Sequence, residues 1–471
     1  MARYLGKKQA VNADATKEKM VFNKKKLNRA MVGISGNIVF TKTSRWAFYR
    51  IPMQNYDFLP RDEQYRLASQ TASGLNTLME SRQRPLRIKL MGDSIPVNLD
   101  AWREQTVEAA HRKRANSQDF DDFLTRELNY LRTMEFSRKV VLLGVELSRR
   151  TDVVVSDEEE ENLLFAAMKQ AYRQTTQTIN SFFGKAVQEI SADEERAAKR
   201  EEALMESLIS SSNLDGERAT AEEILLLSKK MFYPFMPVPY LDTLYDERIG
   251  EGDIVAELSA DIKEYSRYLR IRQIVGDEEQ TGYRAVLSMR KFPRQLEVPG
   301  NVPFFYALNQ IGAPFPFFAN LTLYPVTEMR RLLDKKNLES KDELKNIAEG
   351  DADMPEEVLD SLSDMDDMKR IMAADPSPWV EGSYRIVVEA DTLKKLRKFC
   401  TTLKQRYSDI GVTLHWSAGD QIQYLLEQMP GDVGRIDSYN QVTTMNHVAA
   451  SGFNFSSEFG DAIMPMSTGG R

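Results

Sequence analysis

The chain has 471 residues, of which 42% are hydrophobic and 28% charged, and its formal net charge is −7. That length exceeds one ordinary core, and the composition is that of a folded soluble protein. No run of about 18 uncharged apolar residues occurs, which excludes a spanning helix, and the single Cys400 excludes an internal disulfide.

The charge is unevenly spread. Residues 1–29 carry Arg3, Lys7, Lys8, Lys17, Lys19, Lys24, Lys25, Lys26 and Arg29 against Asp14 and Glu18, so the rest of the chain is acidic. No apolar stretch follows the first basic residues, so no secretory signal peptide is expected. A basic arm of this kind suits anionic lipid headgroups or nucleic acid, or it stays a solvated tail. Lys7, Lys8, Lys24, Lys25, Lys26 and Arg29 are its candidate membrane or partner contacts.

From residue 30 the pattern turns to strands. Val32-Gly33-Ile34 and Ile38-Val39-Phe40 flank the turn signal Ser35-Gly36-Asn37, and Trp46 to Ile51 form a further β-rich run ended by Pro52. A helix is expected over 60–81. Leu86, Ile88 and Leu90 then alternate with Arg87 and Lys89, the half-buried strand pattern. Helical stretches fill roughly 99–137, and the near-continuous apolar run Val140 to Leu147 reads as a central strand. Residues 30–150 thus make an α+β unit.

Residues 151–234 read as helical. Ser156 with Glu159, and Thr220 with Glu223, have the capping-box spacing ahead of apolar-periodic runs. The charged stretch 191–218 between them reads as a solvated helix or linker. Residues 235–326 are β-rich. A hairpin is expected between 268–272 and 285–289, its turn region containing Gly276 and Gly282, and a strand over 317–324. The Phe- and Pro-rich stretch before that strand reads as packing at a sheet end. Residues 327–376 form an acidic helical insertion whose carboxylates lack the EF-hand spacing.

Residues 377–430 are the clearest unit. Tyr384, Ile386, Val388 and Ala390 alternate with Arg385, Val387 and Glu389. Leu393, Leu396, Phe399, Cys400, Leu403 and Tyr407 give the next segment one apolar helical face, and Val412, Leu414 and Trp416 form a second strand. This is a β-α-β unit, followed by a helix over 420–428. Cys400 is a core residue on this pattern and His415 a surface or interface residue. Residues 431–471 read as a linker. The fold class is α+β: mixed sheets with packed helices and the C-terminal β-α-β unit, in several domains.

The motifs of nucleotide chemistry are missing. Gly6-Lys7 and Gly184-Lys185 both fail the phosphate-loop spacing G-x-x-x-x-G-K-[ST], and no dinucleotide fingerprint, nucleophile elbow or H-E-x-x-H occurs. His111, His415 and His447 lie far apart, poor material for a zinc site. No catalytic, cofactor or metal residue is assigned.

Four stretches together carry a family likeness: Trp46-Ala47-Phe48-Tyr49-Arg50-Ile51-Pro52 with Tyr56-Asp57-Phe58-Leu59; the helix that follows; the unit 384–416; and Gln423-Tyr424-Leu425-Leu426-Glu427-Gln428-Met429-Pro430-Gly431-Asp432. In order and texture they resemble the N-terminal part of the CagE/TrbE/VirB-type (TraC-like) conjugation ATPases, the motors of type IV secretion systems, in their Gram-positive or actinobacterial style. In that family an aromatic strand opens the N-terminal domain, and a Pro-Gly segment comes shortly before the motor. The resemblance implies a non-catalytic docking and assembly module, cytoplasmic and peripheral to the inner face of the membrane. Its implied partners are inner-membrane complex proteins, further copies of itself, and the membrane surface through the basic arm. ATP and Mg would belong to a downstream motor absent from these residues, as if the chain were a truncated piece. Nucleic acid is not an expected partner of this part. The alternatives are a stand-alone structural adaptor and a nucleic-acid-binding protein using the arm.

Overall fold

The computed structural model describes residues 31–96 (apart from 58, 81 and 83), 123–126, 137–149, 192–232, 261–293 (apart from 276 and 277), 300–311, 315–335, 377–456, 458–460 and 465–467, with isolated residues at 107, 120, 298, 338, 369, 370 and 372. The basic arm, the Ser156/Glu159 helix, the acidic residues of 349–367 and His111 lie outside them, as does most of the helical stretch expected over 99–137.

Strands dominate. β1 (Met31–Ser35), β2 (Ile38–Thr41) and β3 (Ser44–Ile51) form a meander, turned first at Gly36 (φ +60°). The short β4 (Gln54–Asn55) and the helix α1 (Arg61–Thr77) precede β5 (Leu86–Pro96) and β6 (Ser137–Arg149). α2 (Ala192–Ser211), β7 (Glu217–Arg218) and α3 (Ala221–Lys230) follow. Then come β8 (Asp261–Tyr265), β9 (Tyr268–Val275), β10 (Glu278–Lys291) and β11 (Phe317–Tyr324). The C-terminal third holds β12 (Trp379–Ala390), α4 (Leu393–Asp409), β13 (Thr413–His415), α5 (Gln421–Gln428), β14 (Gln441–Thr444), α6 (Met445–Ala450) and β15 (Phe455–Ser456).

Thirteen of these strands share one sheet in the order β1-β2-β3-β6-β5-β11-β12-β10-β9-β8, with β7 on β3, β14 on β12 and β13 on β10. The protein is therefore α+β, as expected. Among the described residues every pairing in this sheet is antiparallel, and only β15 and β4 pair in parallel, outside it. Strands from 30–150, 235–326 and 377–430 all join it. The expected β-α-β unit is present but split: β12 pairs with one edge of β10 (Tyr283↔Ala390 to Ser288↔Arg385), and β13 pairs with β10 at Ser288↔His415 and Met289↔Leu414. The two strands flank a third that sequence patterning had placed in a separate hairpin. That hairpin exists as β9 and β10, but Gly282 lies within β10, opposite Ile271, rather than in the turn.

Two further expectations are corrected. Residues 431–456 are not a linker: β14 pairs with β12, α6 caps its first turn with Thr444, and Phe453 and Phe455 are fully buried. The segment 192–211 is a helix but not a solvated one, because Ala198, Met205 and Ile209 face the sheet and Glu202 is buried with them. Its high charge sits on the outer side, where Lys199 pairs with Glu195 and Arg196 with Asp193.

The sheet has two covered faces. On one, Tyr49, Leu90, Leu143, Leu287, Phe317, Leu321 and Ile386 meet side chains of α1, α2, α4 and α6. Cys400 is buried there, its thiol pushed up to about 12 by burial, as a core residue would be. On the other, Val39, Trp46, Phe48, Leu142, Val286 and Val387 meet α3 and α5. α3 begins with the expected capping box: Glu223 N–H donates to Thr220 Oγ1 at 3.2 Å, and Thr220 N–H donates to Glu223 Oε2 at 3.0 Å. None of the described helices is long and apolar enough to cross a membrane.

Candidate functional site: a buried charged layer beneath the 421–428 helix

The second face of the sheet carries charge into its interior. Strand alternation aims Lys89 of β5, Asn320 of β11, Arg385 of β12 and Arg284 of β10 toward α5 and the turn after it. Lys89, Arg284 and Arg385 are each 1% exposed or less. Long cations this deep persist only when their donors meet acceptors.

Lys89 Nζ donates to the Asp432 carbonyl at 3.0 Å, to Asn320 Oδ1 at 3.0 Å and to the Glu427 carbonyl. Burial drives its pKa down to about 7, while the carboxylates of Asp432 and Glu427 pull the other way. Three oxygen acceptors match the three donors of the ammonium form. The amine thus acts as a clamp across the end of α5. That end is Met429-Pro430-Gly431, all buried. Gly431 sits at φ +77°, and a Cβ there would lie 2.7 Å from Thr41 Cγ2 and 3.3 Å from Trp46 Cδ1, so a larger residue would be both strained and crowded.

Arg385 lies over the Tyr424 ring at 4.7 Å and the Tyr439 ring at 5.6 Å. Its Nε approaches Glu427 Oε2 at 3.5 Å, both side chains being fully buried, and its NH2 donates to the Ile436 carbonyl at 3.3 Å. The other Glu427 oxygen accepts the backbone N–H groups of Arg435 (2.6 Å) and Ile436 (2.8 Å). Glu427 therefore fixes the chain after the turn as well as balancing Arg385.

Arg284 completes the row. It donates to the Met231 carbonyl at the end of α3 (2.6 Å) and to Gln428 of α5, and it pairs with Glu389 at 3.0 Å. Burial lowers its pKa and raises that of Glu389, each opposed by the other's charge. Lys230 of α3 meets Asp93 at 2.5 Å and the Ser94 carbonyl at 2.6 Å. Gln421 fills the gap where the partner of β10 changes from β9 to β13: Val286 N–H donates to its Oε1 at 2.8 Å, and its Nε2 donates back to the Val286 carbonyl at 3.4 Å. Glu264 of β8 accepts the Ile422 N–H at the start of α5 (3.1 Å).

Chemically this layer positions. It joins α3, α5 and the 429–436 turn to four sheet strands through charge-assisted bonds. Among the described residues no group of three or more His, Cys, Asp or Glu is placed to hold a metal ion. His415 stacks on Tyr439 at 5.1 Å and is half-buried; burial, with Arg290, Lys404 and Arg267 nearby, lowers its pKa. The sequence-level candidates Lys7, Lys8, Lys24, Lys25, Lys26 and Arg29 lie outside the described residues.

Lys89 and Arg385 escaped sequence reasoning for one reason. Each sits at a polar position of an alternating strand, which reads as the solvent face. The signal that finds them is the pair of apolar helices α3 and α5, which need a sheet face to cover. No family model matches the chain, and no curated protein matches it.

Proposed function

We propose that this chain is the non-catalytic docking and assembly module of a type IV secretion (conjugative transfer) ATPase of the TraC-like kind. In this reading it holds the motor to the cytoplasmic side of the inner-membrane complex and to neighbouring subunits. The supporting observation is the contact between two stretches that carry the resemblance. The aromatic strand at Trp46 and the Met429-Pro430-Gly431 turn lie far apart in sequence, yet Gly431 packs on Trp46 and Lys89 ties the turn to the sheet. In the family that turn precedes the motor. A turn anchored by buried charge to a broad sheet suits a joint that must carry force between a motor and its mounting. ATP and Mg then belong to the motor, and the basic arm with Lys7, Lys8, Lys24, Lys25, Lys26 and Arg29 contributes attraction to the anionic inner leaflet.

The test compares this chain with a version extended through whatever its gene encodes after Arg471. Nucleotide binding and ATP turnover are measured on both, and both are fractionated with membranes that carry the secretion complex. The expected outcome is turnover by the extended protein alone and co-fractionation of both with the complex. Turnover by the 471-residue chain, or a soluble distribution unaffected by the complex, would overturn the proposal.

A further inference from the structure

One corner of the sheet differs from everything described so far. At the β8 edge, Ile262, Leu269 and Ile271 point into the core beneath α5. Alternation then turns Lys263, Tyr265, Tyr268 and Arg270 to the opposite face, the face of α4. Lys263 pairs in register with Arg270, Arg270 with Tyr283 of β10, and Tyr265 with Tyr268. All five side chains remain half-exposed.

The rings form a continuous surface. Tyr265 and Tyr268 stack with centroids 4.7 Å apart and planes 12° apart, and Tyr268 meets Tyr283 at 6.0 Å. Cations surround them. Lys263 Nζ lies 5.6 Å from the Tyr265 ring centre. Burial raises the pKa of Tyr268, and the nearby charges of Arg397 and Arg270 oppose that rise. Among the described residues neither Lys263, Arg270 nor Arg397 meets a carboxylate, whereas Asp261 and Glu279 on the same face are both held by Arg272 at 2.7 and 3.0 Å. The adjoining α4 carries six basic residues, with Asp409 its only acid. In a chain whose net charge is −7 this corner is locally positive.

We infer that the Tyr265–Tyr268–Tyr283 face, with Lys263, Arg270 and Arg397, is a platform for single-stranded nucleic acid. Half-exposed flat rings at the edge of the antiparallel sheet offer stacking surfaces to unpaired bases of any sequence, and the flanking cations meet the phosphates. An anionic membrane is the weaker fit. The large apolar side chains exposed among the described residues (Tyr65, Phe123, Leu204, Val302 and Leu338) all lie elsewhere, so nothing on this corner is set to insert. The inference does not depend on the docking role proposed above.

Fluorescence anisotropy of the full chain with a labelled 20-residue oligothymidylate tests it. Binding is expected at low salt and to weaken as salt rises. Tyr265→Ala is expected to weaken it about tenfold, since a stacked base is lost, while Tyr265→Phe, which keeps the ring, leaves it unchanged. Arg397→Glu, on the exposed side of α4, is expected to weaken binding and flatten its salt dependence at an unaltered urea midpoint. The arm variant Lys24→Gln/Lys25→Gln/Lys26→Gln is expected to bind as the wild type does. Failure to bind the oligonucleotide at low salt, indifference to both Tyr265→Ala and Arg397→Glu, or loss on altering the arm alone would each overturn the platform. So would binding to phosphatidylserine vesicles in place of the oligonucleotide.

Discussion

The two faces of the great sheet solve one packing problem with different chemistry. The face under α1, α2, α4 and α6 is a broad apolar core in which shape does the work. The face under α3 and α5 mixes apolar contacts with a row of buried cations, each tied to a named carbonyl or carboxylate. Apolar packing tolerates sliding between shapes of similar volume. Buried charge does not, because a displaced donor loses its partner in a low dielectric. The charged face therefore determines where α5 and the 429–436 turn must lie, while the apolar face holds the larger cluster of buried side chains.

The sharpest break of that comparison is Glu427→Ala. It strands Arg385 and two backbone N–H groups, and is expected to cost about 3–5 kcal/mol in urea unfolding. Adding Arg385→Met should return part of that loss, because the unpaired charge is gone. Leu143→Ala on the apolar face is expected to cost about 2–5 kcal/mol through cavity formation, with no such rescue. If Arg385→Met only deepens the loss, the two faces do not differ in the way described.

Lys89 sharpens the comparison through pH. Its folded pKa, lowered to about 7, lies below the unfolded value of about 10.4. Between those values the unfolded chain binds the extra proton, so the Lys89 contribution to stability rises as pH climbs through this window and is least below pH 7. The unfolding free energy should gain up to about 1.4 kcal/mol per pH unit from this group, and Lys89→Met should remove that slope. A wild-type slope that survives in Lys89→Met would place its origin elsewhere.

Gly431→Ala probes the turn that the charged face holds. The positive φ and the approach to Thr41 and Trp46 together predict a loss of about 1–3 kcal/mol. Thr220→Ala, which removes one half of the capping box of α3, should cost about 1 kcal/mol, the smallest effect of the series. Both are measured as shifts in the urea midpoint at constant slope.

Much of the local structure was legible in the residues. Helical spacing, with a capping box at α3, located α1, α3, α4 and α5; alternation located β5 and β12, and turn signals and apolar or β-rich runs located β1 to β3, β6 and β9 to β11. Cys400 on an apolar helical stripe was read as core, and it is core. The candidate site was not legible. Lys89 and Arg385 occupy positions that alternation assigns to solvent, and only the later arrival of α5 turns that side into an interior. The segment after residue 431 was misread because Gly431 and the polar residues beyond it have the composition of a linker. Its order comes from partners far away in the chain, β12 for β14 and β4 for β15.

Period, capping and turn chemistry are local, so the amino-acid sequence alone settled which segments are helix or strand and which stripe of each is apolar. Strand order, the strand set between β12 and β13, and the burial of three cations depend on contacts between residues far apart in the chain, from 51 positions for Arg385 and Ile436 to 343 for Lys89 and Asp432. Those contacts are decided by which surfaces remain to be covered once the sheet has assembled. One strand's pattern carries no record of that, because a polar side chain looks the same to its neighbours in sequence whether water or a helix later covers it.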